Sequence, residues 1–343
     1  MPDPILQLKN LTVEFDTEDG VVHAVTDVSW ELAPGEILGI VGESGSGKSV
    51  SMMSILGLIP TPPGRIAGEA LFKGENLITM PKKRLREIRG GPVAMIFQDP
   101  MTSLNPVLTI GNQISEAIKV HNRGISDDDA DKRTVELLEL VGVPFAERRV
   151  RQYPHEFSGG MRQRAMIAMS IANNPSILIA DEPTTALDVT IQAQIVEVLK
   201  AAQQETHAAT ILITHDLGLV AELADRVVVM YAGRVVELSD VFAMFDKPGH
   251  PYTVGLMNSL AKLDAEQDLL EPIPGQPPSL VTLPPGCAFH PRCQLSQGRA
   301  ICRTEVPPLR PFAAGVGGHV SACHFAEELT AGRQHAEAAG PVA

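Results

Sequence analysis

The run Gly42-Glu43-Ser44-Gly45-Ser46-Gly47-Lys48-Ser49 has the spacing G-x-x-x-x-G-K-[ST], which suits the binding of a phosphate chain. Its glycines let backbone N–H groups close around an anion, and a following helix points its positive end at the same place. Lys48 would reach the β- and γ-phosphates, and the Ser49 hydroxyl would sit on Mg²⁺. The blander use of such a run is a tight glycine turn with no ligand. Its neighbours argue otherwise: the apolar stretch Glu36–Val41 reads as a buried strand and Val50–Leu58 as a helix. Strand, glycine loop, helix is the context that the motif requires.

A second set of polar residues lies at the ends of other apolar runs. Asp181-Glu182 follows Ile177–Ala180, which reads as a buried strand. An acid there can hold Mg²⁺ through water, and its neighbour, turned in a different direction, can face the γ-phosphate and polarise water. Without a phosphate loop the pair would be two solvated carboxylates. Ser158-Gly159-Gly160 opens a helix expected to run to about Ala172, a second anion-ready helix start. Alone it would be an ordinary serine cap with two permissive glycines. Gln98 ends the strand Val93–Phe97, and Ala186-Leu187-Asp188 follows the acid pair. Thr214-His215-Asp216 ends the strand Ala209–Thr214, expected beside the strand of Asp181. A lone strand-end histidine is more often a structural hydrogen-bonder than a catalytic group.

The elements that must position these residues are legible in outline. Leu6–Phe15 and Val21–Leu32 read as an antiparallel edge joined at Asp19-Gly20. Residues 107–145 read mostly as helix, with Ser126 as a cap and Asp127, Asp128 and Asp129 where the helix dipole favours negative charge. Thr190–Gln204 is an expected helix, and Arg226–Tyr231 with Arg234–Leu238 an expected hairpin about Ala232-Gly233. Buried strands alternating with helices predict an α/β domain with a mainly parallel sheet. Beyond Lys247 the texture changes. Pro272–Pro285 is proline-rich and predicted to lack regular structure, and the Ala/Gly-rich tail 327–343 is predicted to be disordered.

The chain has 343 residues, room for one large domain and a small second one. A formal net charge of −13 argues against broad attraction to nucleic acid or anionic lipid, and the cluster Arg148, Arg149 and Arg151 reads as a solvated helix end. No apolar run approaches the ~20 residues that cross a bilayer, since Ala165–Ala180 is broken by Asn173-Asn174-Pro175. The start, Met1-Pro2-Asp3-Pro4, has no secretory pattern, so a cytosolic location is expected.

In this order, the phosphate loop, Gln98, Ser158-Gly159-Gly160, Asp181-Glu182, Leu187-Asp188 and His215 resemble the ATP-binding cassette (ABC) ATPases over residues 5 to about 245. The resemblance implies an ABC-type core: a RecA-like parallel sheet, an antiparallel β edge and a helical subdomain at about 100–172, within residues 1–247. It implies a head-to-tail dimer holding two ATP molecules. Gly42, Ser44, Gly45, Gly47, Lys48, Ser49 and Val50 of one subunit would bind each nucleotide. Ser158, Gly159 and Gly160 of the other would cap its γ-phosphate, with Asp188 also at the nucleotide. Ser49, Gln98 and Asp181 would hold Mg²⁺, Glu182 would be the general base, and His215 would hold the γ-phosphate and attacking water. Gln98 would also sense the nucleotide and face the moved partner. Phe15 is the candidate for stacking on adenine; a core phenylalanine is the equal alternative. Met161 stands where many members carry Gln, which leaves the backbone donors and Ser158 in place.

The finer resemblance is to ATPase subunits of dipeptide and oligopeptide importers. It rests on Gln98-Asp99-Pro100-Met101-Thr102-Ser103-Leu104-Asn105-Pro106 and on Asp181–Thr190. It also rests on His250-Pro251-Tyr252-Thr253 and Gly286-Cys287-Ala288-Phe289-His290-Pro291-Arg292-Cys293. This branch also includes nickel and glutathione importers. It implies two transmembrane permeases, a second and related ABC ATPase subunit (a homodimer being the alternative), an extracytoplasmic solute-binding protein, and a peripheral place on the cytoplasmic face of the membrane. A soluble ABC ATPase acting on nucleic acid or ribosomes is the other class. It would usually carry two cassettes or a coiled-coil insertion, and this chain has one cassette and no heptad run.

All four cysteines, Cys287, Cys293, Cys302 and Cys323, lie in the extension 248–326. Their spacings fit neither a C-x2-C zinc ribbon nor a ferredoxin. In a reducing compartment such a cluster suits metal better than disulfides, and a segment this poor in apolar residues needs a staple. The importer resemblance implies a [4Fe–4S] cluster on the four thiolates. Zinc, with His290, His319 or His324 as substitute ligands, and four free thiols are the alternatives.

Overall fold

The structure, a computed structural model, describes residues 3–185, 187–259, 272–312 and 318–329. Ala186 and most of the expected disordered tail, 330–343, lie outside the described residues. The chain forms two compact units. Met1–Leu6, Leu32–Ile37 and Phe72–Ile213 make the first; Gln7–Glu31, Leu38–Leu71 and Thr214–Ala343 make the second. The division follows contacts rather than chain order, so the cysteine extension belongs to the same unit as the phosphate loop.

In the first unit the strands Val93–Ile96, Ile177–Asp181 and Ala209–Thr214 run parallel, with Val93 opposite Ile177 and Ile177 opposite Ala209. Every residue of the last two strands is buried. That is why the sequence shows unbroken apolar runs there: a parallel strand covered on both faces has no solvent side to alternate with. The helical stretch resolves into two main helices, Ile110–His121 and Asp127–Leu140. Thr109 caps the first by accepting from Asn112 N, and Ser126 caps the second by accepting from Asp129 N. Ile110, Ile114 and Ile118 repeat at a spacing of four and are buried, as are Leu137 and Leu138. Gly159–Ile171 and Val189–Thr206 are the remaining long helices of this unit.

In the second unit Leu38–Val41 pairs parallel with Arg226–Val229. The strands Arg226–Tyr231 and Arg234–Asp240 form the expected hairpin, with Ala232 at φ +48° and Gly233 at φ +79°. Glu237 then pairs with Ser321 and Leu238 with Val320, so the extension adds a strand to the hairpin. Leu6–Thr17, Gly20–Leu32 and Gly64–Phe72 belong to a separate sheet, with Leu6–Thr17 in the middle. Residues 272–285 contain no helix or strand. Among the described residues no helix is long and apolar enough to cross a membrane.

Candidate active site

The phosphate loop leaves the Ile37–Val41 strand and enters the helix Lys48–Ile55. Gly42, Gly45 and Gly47 have φ of +151°, +77° and +98°. They are not equivalent. A Cβ at Gly42 would collide with the Met230 carbonyl, and one at Gly47 with the Ala24 carbonyl. Around Gly45 there is open space, so its requirement is conformational alone. The loop is tied to its surroundings by Gly233 N donating to Ser46 O at 3.1 Å and by Glu43 N donating to Tyr252 Oη at 2.7 Å. Lys48 is 4% exposed; its Nζ donates to the carbonyls of Gly42 at 2.7 Å and Glu43 at 3.0 Å. The ammonium is thus held inside the loop. Ser44 and Gly45 are exposed on the loop, and Ser49 and Val50 are half-buried in the first helical turn. Phe15 is half-buried on its strand, near the Gly64 backbone. His215, also of this unit, is exposed after the Ala209–Thr214 strand.

The first unit assembles the acid set by register. Ile96 lies opposite Ala180, so two residues further along Gln98 comes level with Glu182. The Gln98 Nε2 donates to Glu182 Oε2 at 2.9 Å. Thr185 Oγ1 donates to the same oxygen at 2.8 Å. Glu182 has φ +46°, and its N–H donates to Ile213 O at 2.8 Å. The chain therefore turns out of the sheet at Glu182 while that residue stays bonded to the neighbouring strand. Asp181, one residue earlier, is 5% exposed at the strand end. A buried and a half-buried carboxylate thus follow each other at the strand end, the residue types that Mg²⁺ binding and proton abstraction call for.

Ser158 caps the Gly159–Ile171 helix, accepting from Met161 N at 3.4 Å. A Cβ at Gly160 would meet Ile191 Cγ2 at 2.8 Å, so Gly160 lets this helix start approach the helix Val189–Thr206. Gly159 has only Leu187 Cδ2 nearby, at 3.8 Å. Asp188, exposed, caps the second helix by accepting from Ile191 N at 3.0 Å.

All four cysteines are free thiols and line one small cavity of about 20 Å³. Burial pushes the Cys287 thiol up to about 11 and Cys323 up to about 12, and raises Cys293 and Cys302 as well. Four thiolates facing one apolar space are costly without a cation between them. Raised in this way the four groups stay neutral thiols, and no three His, Cys, Asp or Glu side chains among the described residues form a ready ligand group, so a metal would have to draw the thiolates closer. The space as it stands holds about one water, so a four-iron cluster would have to widen it. Of the candidate histidines, His319 Nε2 is on Glu237 at 2.7 Å, whereas His290 and His324 line the same cavity, with His290 Nδ1 2.9 Å from Cys287 O and His324 Nε2 3.1 Å from Glu305 O.

Two residues that the sequence reading passed over touch the phosphate loop. Arg292 pairs with Glu43, and Tyr252 accepts from its N–H. Both lie inside the segments that carry the importer resemblance, His250–Thr253 and Gly286–Cys293, so the signal was present without a role attached to it.

Two family models match this chain: ABC transporter over residues 25–185, and oligopeptide/dipeptide transporter, C-terminal region, over residues 236–302. The oligopeptide transport ATP-binding protein OppD of Escherichia coli (strain K12) is 48% identical over 313 residues, 91% of either chain. OppD of Bacillus subtilis (strain 168) is 54% identical over 287 residues, 83% of this chain and 80% of that one. Among solved structures, a dimeric ATP-binding cassette in a post-hydrolysis state with ADP and Pi has a TM-score of 0.62 at 29% identity. The match covers 69% of this chain and 98% of that one.

Proposed function

Since the chain belongs to the ABC transporter family, in its oligopeptide/dipeptide branch, we propose that it is the ATP-hydrolysing subunit of an importer for di- and oligopeptides. The phosphate loop takes the triphosphate, and Lys48 exchanges the carbonyls of Gly42 and Glu43 for phosphate oxygens. Ser49 and Asp181, with Gln98, are the residues that would hold Mg²⁺, which supplies charge neutralisation on the phosphates. Glu182 takes the proton of the attacking water as the new O–P bond forms and the bond from the γ-phosphorus to the bridging oxygen of ADP breaks. Gln98 and Thr185 fix the carboxylate for that step. His215 holds the γ-phosphate, Phe15 stacks on adenine, and Ser158, Gly159, Gly160 and Asp188 serve the nucleotide of a second cassette. In that arrangement the Asp188 cap also sets the helix start that Gly160 packs against.

The partners are two permeases in the membrane, a second and related ATPase subunit, and an extracytoplasmic binding protein that delivers the solute. The chain works on the cytoplasmic face of the membrane. The four cysteines hold a metal that staples the extension, a [4Fe–4S] cluster by family resemblance and zinc otherwise. Anaerobically purified protein is then brown with broad visible absorbance; colourless protein with stoichiometric zinc contradicts the cluster.

The observation that carries the reading is the Glu182 carboxylate held by Gln98 at a parallel-strand end. The peptide assignment is supported by the match of the extension as well as the cassette. Cells lacking this chain should lose uptake of a labelled oligopeptide, and the intact gene but not its Glu182→Gln form should restore it. Peptide uptake unaltered by the loss, with nickel or glutathione uptake lost instead, contradicts the peptide assignment.

A further inference from the structure

We propose that the cysteine extension positions the phosphate loop, with Arg292 as a positioning residue acting through Glu43. The inference rests on the ATP reading above and adds a role for residues which that reading leaves idle. The Arg292 side chain is 5% exposed, and its guanidinium forks onto the Glu43 carboxylate at 2.7 and 2.9 Å. Its remaining donors are also used, on Tyr231 Oη at 3.3 Å and Pro274 O at 2.9 Å. Tyr231, Tyr252 and Phe289 pack on one another with centroids 4.6 to 5.4 Å apart, and Arg292 lies over Tyr231 and Phe289. The pair is thus walled by aromatic rings on one side, where a fork is stronger and more directional than in open water.

Glu43 is one of the loop's variable positions, and it is gripped twice: by its carboxylate through Arg292 and by its N–H through Tyr252 Oη. Its carbonyl in turn receives Lys48 Nζ. A covalent and hydrogen-bonded line therefore runs from Cys293 through Arg292 and Glu43 to Lys48. Two physical consequences follow for a loop whose ligand is an anion. First, a three-glycine loop loses much freedom when it closes on phosphate, and holding it beforehand lowers that cost. Second, a carboxylate in a phosphate-binding loop repels its own ligand unless a cation neutralises it, and Arg292 does so. A merely structural arginine would staple the extension without either effect on the nucleotide.

The test uses the full chain in complex with its permeases and reads both fluorescent ATP-analogue affinity and the KM and kcat for ATP. Arg292→Ala should weaken ATP about tenfold in KM while saturated turnover changes far less. Arg292→Lys, which keeps the charge and loses the fork, should fall between the two. Adding Glu43→Gln to Arg292→Ala should recover most of the affinity, because the unpaired carboxylate is gone. Equal ATP affinity in wild type and Arg292→Ala overturns the proposal, and so does a deficit that Glu43→Gln leaves untouched. If Arg292→Ala does not assemble, Arg292→Lys decides: wild-type KM in that variant overturns the proposal. A wild-type complex that neither binds nor hydrolyses ATP would instead remove the ATP reading itself.

Discussion

The phosphate loop and the cysteine cavity, both in the second unit, are built by opposite means. The loop works with backbone: eight consecutive residues, three glycines at positive φ, and one lysine folded inward. The cavity works with side chains gathered from four places along 37 residues, brought together by short turns and by a strand added to the Arg234–Asp240 edge. A backbone site can be read from local spacing because neighbours in sequence are neighbours in space. A side-chain site cannot, because its geometry belongs to the tertiary structure. Arg292 and Glu43 are where the two meet, 249 residues apart in sequence.

The comparison can be sharpened most forcefully at the chemical step, whose proposed base, Glu182, lies in neither feature. Glu182→Gln should bind ATP with little change yet lower turnover by about 10²–10⁴-fold, measured as phosphate release at saturating ATP. Near-normal turnover would remove Glu182 as the base. Lys48→Ala should weaken ATP binding by about 10–100-fold, since a charge-assisted contact is lost and no backbone donor replaces it. Calorimetry showing unchanged affinity would contradict the loop's assignment.

Within the loop, Gly47→Ala and Gly45→Ala separate crowding from conformation. Both are strained by positive φ, about 1–3 kcal/mol each, but only the residue at 47 also meets a carbonyl. Gly47→Ala should therefore lower the thermal midpoint and ATP affinity more than Gly45→Ala; the reverse order would contradict the packing described. The cavity gives the mildest effect on nucleotide chemistry. Cys323→Ser should lower bound metal and the thermal midpoint while ATP turnover per folded molecule at saturating ATP stays within about twofold, because the extension acts on ATP affinity rather than on the chemical step. Full metal content in that variant would remove Cys323 from the ligand set.

Much of this was legible in the chain. The strands Ile177–Asp181 and Ala209–Thr214 were plain because burial on both faces leaves an unbroken apolar run. Ser126 and Ser158 each mark a helix start by a capping side chain. Gly64–Phe72 was not legible: it contains two glycines and is largely exposed at its centre, so neither alternation nor an apolar run survives. Lys82–Ile88 buries only Leu85 and Ile88, too few to mark a helical stripe. The Gln98–Glu182 bond escaped the sequence because it depends on register between strands that begin 84 residues apart. Asp188 was expected at a nucleotide, and its bond to Ile191 N adds a capping role that only the folded geometry discloses.

The most direct test measures ATP turnover by the chain assembled with its permeases in vesicles, with and without a peptide-loaded binding protein on the opposite face. A several-fold rise that depends on the peptide and vanishes with Glu182→Gln is the expected result. Turnover indifferent to peptide, or raised equally by the empty binding protein, would contradict the account.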